Sequence, residues 1–231
     1  NGCTASATTT VTVNPLPVPS AGAPQAICDG QSATLTASGG GTYQWNTGAT
    51  SATITVNPTA TTNYTVTVTN AFGCTASAAT TVTVNALPVP NAGTPQIICF
   101  GQSATLTASG GGTYQWNTGA TSATITVSPT STSNYTVTVT NTAGCTATAA
   151  TTVTVNALPV PDAGAPQTIC NGQSATLTAG GGGTYLWSNG STNATITVSP
   201  TATTNYIVTV TNANGCTASA TTTVTVNPLP V

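Results

Sequence analysis

The sequence predicts an all-β protein, a tandem array of small antiparallel β-sandwiches, and three observations carry that reading. First, the chain repeats itself every 71 residues. Cys28, Cys99 and Cys170 keep that spacing, as do Cys3, Cys74, Cys145 and Cys216, and as do Trp45, Trp116 and Trp187. Second, apolar residues alternate with Thr at a period of two, with no helical period anywhere. Third, glycine and asparagine turn signals fall at close intervals between these stretches. Self-similarity at a fixed period marks a repeat architecture and is read before other signals.

The first repeat shows each element in order. Ala33, Leu35 and Ala37 share one face of a half-buried strand, with Thr34 and Thr36 on the other. Tyr43 and Trp45 follow the Gly39-Gly40-Gly41 turn and face the same way. Ile54 and Val56 oppose Thr53 and Thr55, and Tyr64, Val66 and Val68 form the clearest strand. The turn Asn70-Ala71-Phe72-Gly73 leads into a long closing strand through Val82 and Val84. Thr suits the outward positions because β-branched side chains pack well on a pleated surface. The expected core is Trp45, Tyr64 and Leu35, with Trp116, Tyr135 and Leu106, and Trp187, Tyr206 and Leu177, in the other repeats.

Proline-rich pieces at Pro15–Pro19, Ala86–Pro90 and Ala157–Pro161 read as short, stiff connectors. They divide the chain into repeats 15–85, 86–156 and 157–227. Residues 1–14 are expected to close a preceding repeat, and 228–231 to start the next linker. Residues 1–18 are identical to residues 214–231. Natural arrays ordinarily end in atypical capping repeats, so the expectation is an in-phase window on a longer array.

Composition removes whole classes of function. The chain has no Lys, Arg, His or Met, and its only acids are Asp29 and Asp162. Neutralising nucleic-acid phosphates or anionic lipid needs basic residues, and no apolar run reaches membrane-spanning length. Acid–base catalysis needs a tuned titratable group, and a nucleophilic Ser or Cys would lack a base. Asp29 corresponds to Phe100 and Asn171, and Asp162 to Asn91 and Ser20, so no site built from them repeats. Calcium would need several carboxylates, and zinc would need clustered Cys or His. The reading is no enzyme, no cofactor and no metal. Asn63, Asn134, Asn189 and Asn193 begin Asn-x-Ser/Thr sequons, which arise easily in a Thr-rich sequence.

Six or seven short strands in 71 residues describe an immunoglobulin-like sandwich, with Trp45 on the third strand and Tyr64 opening the penultimate one. The run Ala21-Gly22-Ala23-Pro24-Gln25, Cys28, Ala33–Ala37, Tyr43-Gln44-Trp45, Tyr64–Val68 and the Asn214-Gly215-Cys216 turn resembles the PKD-like and Ig-like repeats of Bacteroidetes-type secreted surface proteins and adhesins. Where the PKD family carries an Asp-rich Trp-Asp-Phe-Gly-Asp-Gly turn, this chain has Trp45-Asn46-Thr47-Gly48.

Seven cysteines, two positions per repeat, suggest an oxidising extracellular compartment. In an Ig-like topology Cys28 lies at the bottom of the sandwich and Cys74 at the top, on the order of 25–35 Å apart. A disulfide needs Cα atoms about 4.4–6.8 Å apart. In a head-to-tail row the bottom of one repeat meets the top of the next, which favours Cys28–Cys145 and Cys99–Cys216. Pairing within repeats (Cys28–Cys74, Cys99–Cys145, Cys170–Cys216) and bonds between chains are the alternatives.

Function narrows to two classes. One is a subunit of an extracellular or cell-surface fibre whose partners are neighbouring repeats and copies of itself. Nearly uncharged edge strands, which usually carry charges against edge-to-edge pairing, are consistent with that. The other is the stalk or binding region of a large surface adhesin, meeting a ligand or glycan through loops near Trp45 or Phe72.

Overall fold

The computed structural model describes residues 2–230, and all its regular structure there is β-strand. The first repeat contains β1 (Gln25–Cys28), β2 (Ala33–Thr36), β3 (Thr42–Trp45), β4 (Thr53–Val56), β5 (Thr62–Thr69) and β6 (Thr75–Asn85). The same six elements recur in the second repeat from β7 (Gln96–Cys99) to β12 (Thr146–Asn156). They recur again in the third, from β13 (Gln167–Cys170) through β17 (Thr204–Thr211) to β18 (Thr217–Asn227). Each repeat is a sandwich of a four-stranded sheet, in the order β1-β6-β5-β3, and a two-stranded sheet, β2-β4.

Strand burial follows the alternation of the sequence. In β2, Ala33 and Leu35 are buried and Thr34 and Thr36 exposed; in β4, Ile54 and Val56 are buried and both Thr exposed. Trp45 closes β3 at 1% exposure, and its Nε1–H donates to the Ser51 carbonyl at 3.0 Å. That bond meets the need of an indole buried in an apolar core. Tyr64, Val66 and Val68 of β5 and Val82 of β6 complete the first core. The equivalents Trp116, Leu106 and Tyr135, and Trp187, Leu177 and Tyr206, are buried in the same way.

One pairing was not legible in the alternation. β1 runs parallel to β6, so the first strand of each repeat lies beside the last, with Gln25 opposite Val82 and Cys28 opposite Asn85. This register positions the functional site, because it sets a cysteine next to the residue where the repeat ends.

Glycine is required where backbone passes close. Gly41 has φ +149°, and a Cβ there would run into the Thr69 carbonyl. Gly48 has φ +89° in the Trp45–Ala49 turn but faces open space.

Residues 2–14 carry the sequence of a closing strand without the rest of a repeat to close. They form no strand, and Val11 and Val13 are 82% and 88% exposed. Identical residues in the third repeat form β18 because β13 and β17 flank them there. Among the described residues nothing flanks residues 2–14 in that way. Asn1 and Val231, the outer residues of the expected flanking segments, lie outside the described residues.

Two compact units divide the chain. One is Asn1–Val89 with Gly110–Thr113 and Val139–Ala147; the other is Pro90–Ser109, Tyr114–Thr138 and Thr148–Val231.

Candidate functional site at the repeat joints

Each unit contains one joint between consecutive repeats, and each joint is built from the end of a closing strand. In the first unit β6 ends at Asn85, whose carbonyl accepts the Asp29 N–H at 2.9 Å. The parallel pairing has already set Cys28 beside Asn85. Gly30, at φ +83°, turns the chain after Cys28, and the Gln31 side chain closes the turn by accepting the Cys28 N–H at 3.1 Å. The lower cysteine of the joint is therefore held by strand register on one side and by a tight turn on the other.

The upper cysteine comes from the Asn141–Cys145 turn of the next repeat. The Asn141 side chain organises this turn, because its Oδ1 accepts the N–H groups of both Ala143 and Cys145 at 3.0 Å. Its Nδ2 donates at 2.8 Å to the carbonyl of Ala86, the first linker residue. One side chain thus shapes the turn and fastens it to the incoming connector. Cys145 Sγ then lies 3.9 Å from the Asn85 carbonyl and is fully buried.

Cys28 and Cys145 are joined by a disulfide, with Cα atoms 5.6 Å apart. The second unit repeats the arrangement: Cys99 is joined to Cys216, also at 5.6 Å, and Asn212 Nδ2 donates to the Ala157 carbonyl at 2.8 Å. Phe100 N–H donates to the Asn156 carbonyl at 2.9 Å, just as Asp29 does to Asn85. Both disulfides tie consecutive repeats across 117 residues of sequence. The alternative pairs within repeats (Cys28–Cys74, Cys99–Cys145 and Cys170–Cys216) do not form. The reason is placement: register sends the lower cysteine to the foot of its own repeat, and the asparagine-held turn sends the upper one to the head.

Cys3, Cys74 and Cys170 are free thiols. Asn70, Asn141 and Asn212 each bond a linker carbonyl; in the sequence Asn70 was read only as part of a turn, and the other two were not singled out. Their 71-residue spacing and position four before each upper cysteine would have marked them.

The residues weighed for ligand contact are poorly placed for it. Trp45 is in the core. Phe72 is 66% exposed in its turn, but Ala143 and Asn214 stand at its equivalent positions. Asp29 and Asp162 sit in different places, one in the turn after β1 and one in an isolated bridge to Gly180.

Comparison with known proteins agrees with the geometry. Residues 15–88, the first repeat with the start of the next linker, match a family described as Ig-like domain CHU_C associated. The second and third repeats have the same strand order as this matched repeat, so the fold is three Ig-like sandwiches. A search of curated proteins returned no match. Solved structures similar to the array include a three-Ig fragment of titin, 13% identical with a TM-score of 0.45 over 89% of this chain and 96% of that one. Another is a 1.5-MDa bacterial ice-binding adhesin, 18% identical with a TM-score of 0.32 over 87% of this chain and 94% of that one. Domains 1–5 of Sidekick-1 are 16% identical with a TM-score of 0.33, covering 91% of this chain and 59% of that one.

Proposed function

We propose that the chain is a structural, non-catalytic subunit of an extracellular or cell-surface fibre, built from Ig-like repeats joined head to tail and locked by disulfides. The observation that carries this reading is that both disulfides are spent on the joints and none within a repeat. A domain of about 70 residues has a thin core, and staples within it would be the usual remedy. Placing them between repeats instead resists pulling the repeats apart, which is what a load-bearing array requires. Disulfides persist where the compartment is oxidising, which supports a location outside the cell. The near absence of charge removes electrostatic resistance to lateral contact between copies, so the partners are neighbouring repeats and further copies of the chain.

Electron microscopy of the native material tests this. Ordered filaments of uniform width are the expected result, with loss of order on reduction. Single threads that end in a different kind of domain would replace the fibre with an adhesin stalk.

A further inference from the structure

The two-stranded sheet of each repeat has one open edge. β4 (Thr53–Val56), β10 (Thr124–Val127) and β16 (Thr195–Val198) all read Thr-Ile-Thr-Val. Among the described residues each of them pairs with one neighbouring strand only. In an antiparallel ladder, successive residues turn their N–H and C=O groups to opposite sides. The Ala37 N–H donates to the Ala52 carbonyl at 2.7 Å, and the same register sets Leu35 opposite Ile54 and Ala33 opposite Val56. Ile54 and Val56 therefore spend their backbone groups on β2. Thr53 and Thr55 turn theirs to the open side. The Ala108–Ala123 and Ala179–Ala194 bonds fix the same phase in the other repeats, which leaves Thr124, Thr126, Thr195 and Thr197 facing outward.

The edges of β2 and β3 differ. Ser20 and Ser38 exchange backbone bonds at 3.0 Å, and a Cβ on Gly22 would come 3.3 Å from the Thr36 carbonyl, so residues 20–22 cover β2. At the end of β3, the Trp45 N–H donates to the Ala49 carbonyl and the Trp45 carbonyl accepts the Gly48 N–H, so a turn occupies that edge. Edge strands are ordinarily blunted by charge, proline or a bulge. β4 has neither a charge nor a proline, and it pairs with β2 without a bulge.

We propose that this edge is the lateral contact between copies of the chain, one Thr-Ile-Thr-Val strand pairing antiparallel with another from a second copy. The proposal rests on the fibre reading and names its lateral contact. Centred on Ile54, the pairing sets Thr53 opposite Thr55 of the second copy, and Thr55 opposite its Thr53. Each outward N–H then meets an outward carbonyl, so the strand is its own complement, as a two-fold contact requires. Ile54 and Val56 stay in their cores. The Thr side chains stay outside, where Thr–Thr pairs across strands are favourable; Thr36 and Thr53 already make such a pair at 3.4 Å. A four-residue edge is short, and its recurrence in all three repeats supplies the multivalency that a lasting contact needs.

The test is residue-resolved hydrogen exchange on the full chain, dispersed and in native filaments. In the dispersed chain the amides of Ile54 and Val56 are protected and those of Thr53 and Thr55 exchange freely. In filaments Thr53 and Thr55 slow at least about tenfold, as do their equivalents in the other repeats. Filaments in which they exchange as fast as in the dispersed chain overturn the proposal and leave the fibre reading standing. Sedimentation reads the contact without filaments, on a background of Cys3→Ser, Cys74→Ser and Cys170→Ser so that free thiols do not link chains. Thr55→Pro with Thr126→Pro and Thr197→Pro removes N–H groups that face only the open side, and raises the concentration for half-association at least about tenfold. Lys at the same positions does likewise and keeps the backbone intact. Thr34→Lys with Thr105→Lys and Thr176→Lys places the same charges on the exposed side of the covered strand and leaves association unchanged. Circular dichroism and urea midpoints establish that each variant is folded. No association of the parent chain, association that survives the Pro and Lys changes, or equal loss with the Thr34 set overturns the proposal. Association through this edge in material that forms no filaments would sustain it and remove the fibre reading.

Discussion

Mechanical extension gives the most direct measure of how the joints are wired. The two disulfides interlace, since Cys99 lies inside the loop closed by Cys28 and Cys145, and Cys145 lies inside the loop closed by Cys99 and Cys216. In the fully unfolded but oxidised chain, the shortest covalent path runs 27 residues from Asn1 to Cys28 and crosses to Cys145. It then doubles back 46 residues to Cys99, crosses to Cys216 and runs 15 residues to Val231. At about 3.4 Å per extended residue, that path is about 300 Å long, against about 780 Å for the reduced chain. Single-molecule force spectroscopy with handles at the two ends reads this length. The decisive perturbation is Cys28→Ser with Cys145→Ser. With only Cys99–Cys216 left, the path is 98 residues to Cys99 and 15 beyond Cys216, or about 380 Å. If the bonds lay within repeats, the same variant would retain only Cys170–Cys216. Its path would then be 169 residues and 15 residues, or about 630 Å. A contour length near the larger value would refute the wiring described here.

Three further outcomes follow from particular contacts. The hydroxyls of Thr80, Thr151 and Thr222 are buried without a hydrogen-bond partner, so Thr80→Val should raise the stability of its repeat by about 1 kcal/mol in urea denaturation, the cost of an unpaired buried hydroxyl being removed. Gly41→Ala should destabilise by about 2 kcal/mol or more, because both its φ and the Thr69 carbonyl oppose a side chain. Gly48→Ala, which meets only the φ penalty, should cost about 1 kcal/mol in the same assay. Asn141→Ala removes three hydrogen bonds at the first joint. It should speed reduction of Cys28–Cys145 by dithiothreitol while leaving Cys99–Cys216 unchanged, as followed by timed alkylation and mass spectrometry.

Much of the fold was legible because the core uses one rule. Leu35, Ile54, Val56, Val66 and Val68 alternate with Thr, and each is buried where the alternation places it. Trp45 and Tyr64 could be assigned to the core because large aromatics recur at the repeat spacing on strand positions. The division into four strands and two was not legible, since alternation says which face is buried and not which strand is the neighbour. The parallel run of β1 along β6 was hidden for the same reason: Gln25–Cys28 is four residues long and pairs with residues 57 positions away. The joint was half legible. Cysteine positions and polarity pointed to it, but the Asn70, Asn141 and Asn212 side chains act on linker carbonyls 55 residues earlier in sequence. Residues 2–14 carry the same alternation as β18, but a strand forms only where its neighbours are present.

The 117-residue reach of each disulfide also sets an order of events during synthesis. Cys28 can find its partner only after the turn that holds Cys145 has emerged, a wait of roughly 6–25 s at common translation rates of 5–20 residues per second. During that interval the first repeat has to fold with its thiols still unbonded, and Cys74 emerges well before Cys145 does. Folding itself then guards against mispairing, because register carries Cys28 to the foot of the repeat and the asparagine turn carries Cys74 to its head. Oxidation comes last, as a seal placed on repeats that are already correctly folded and docked.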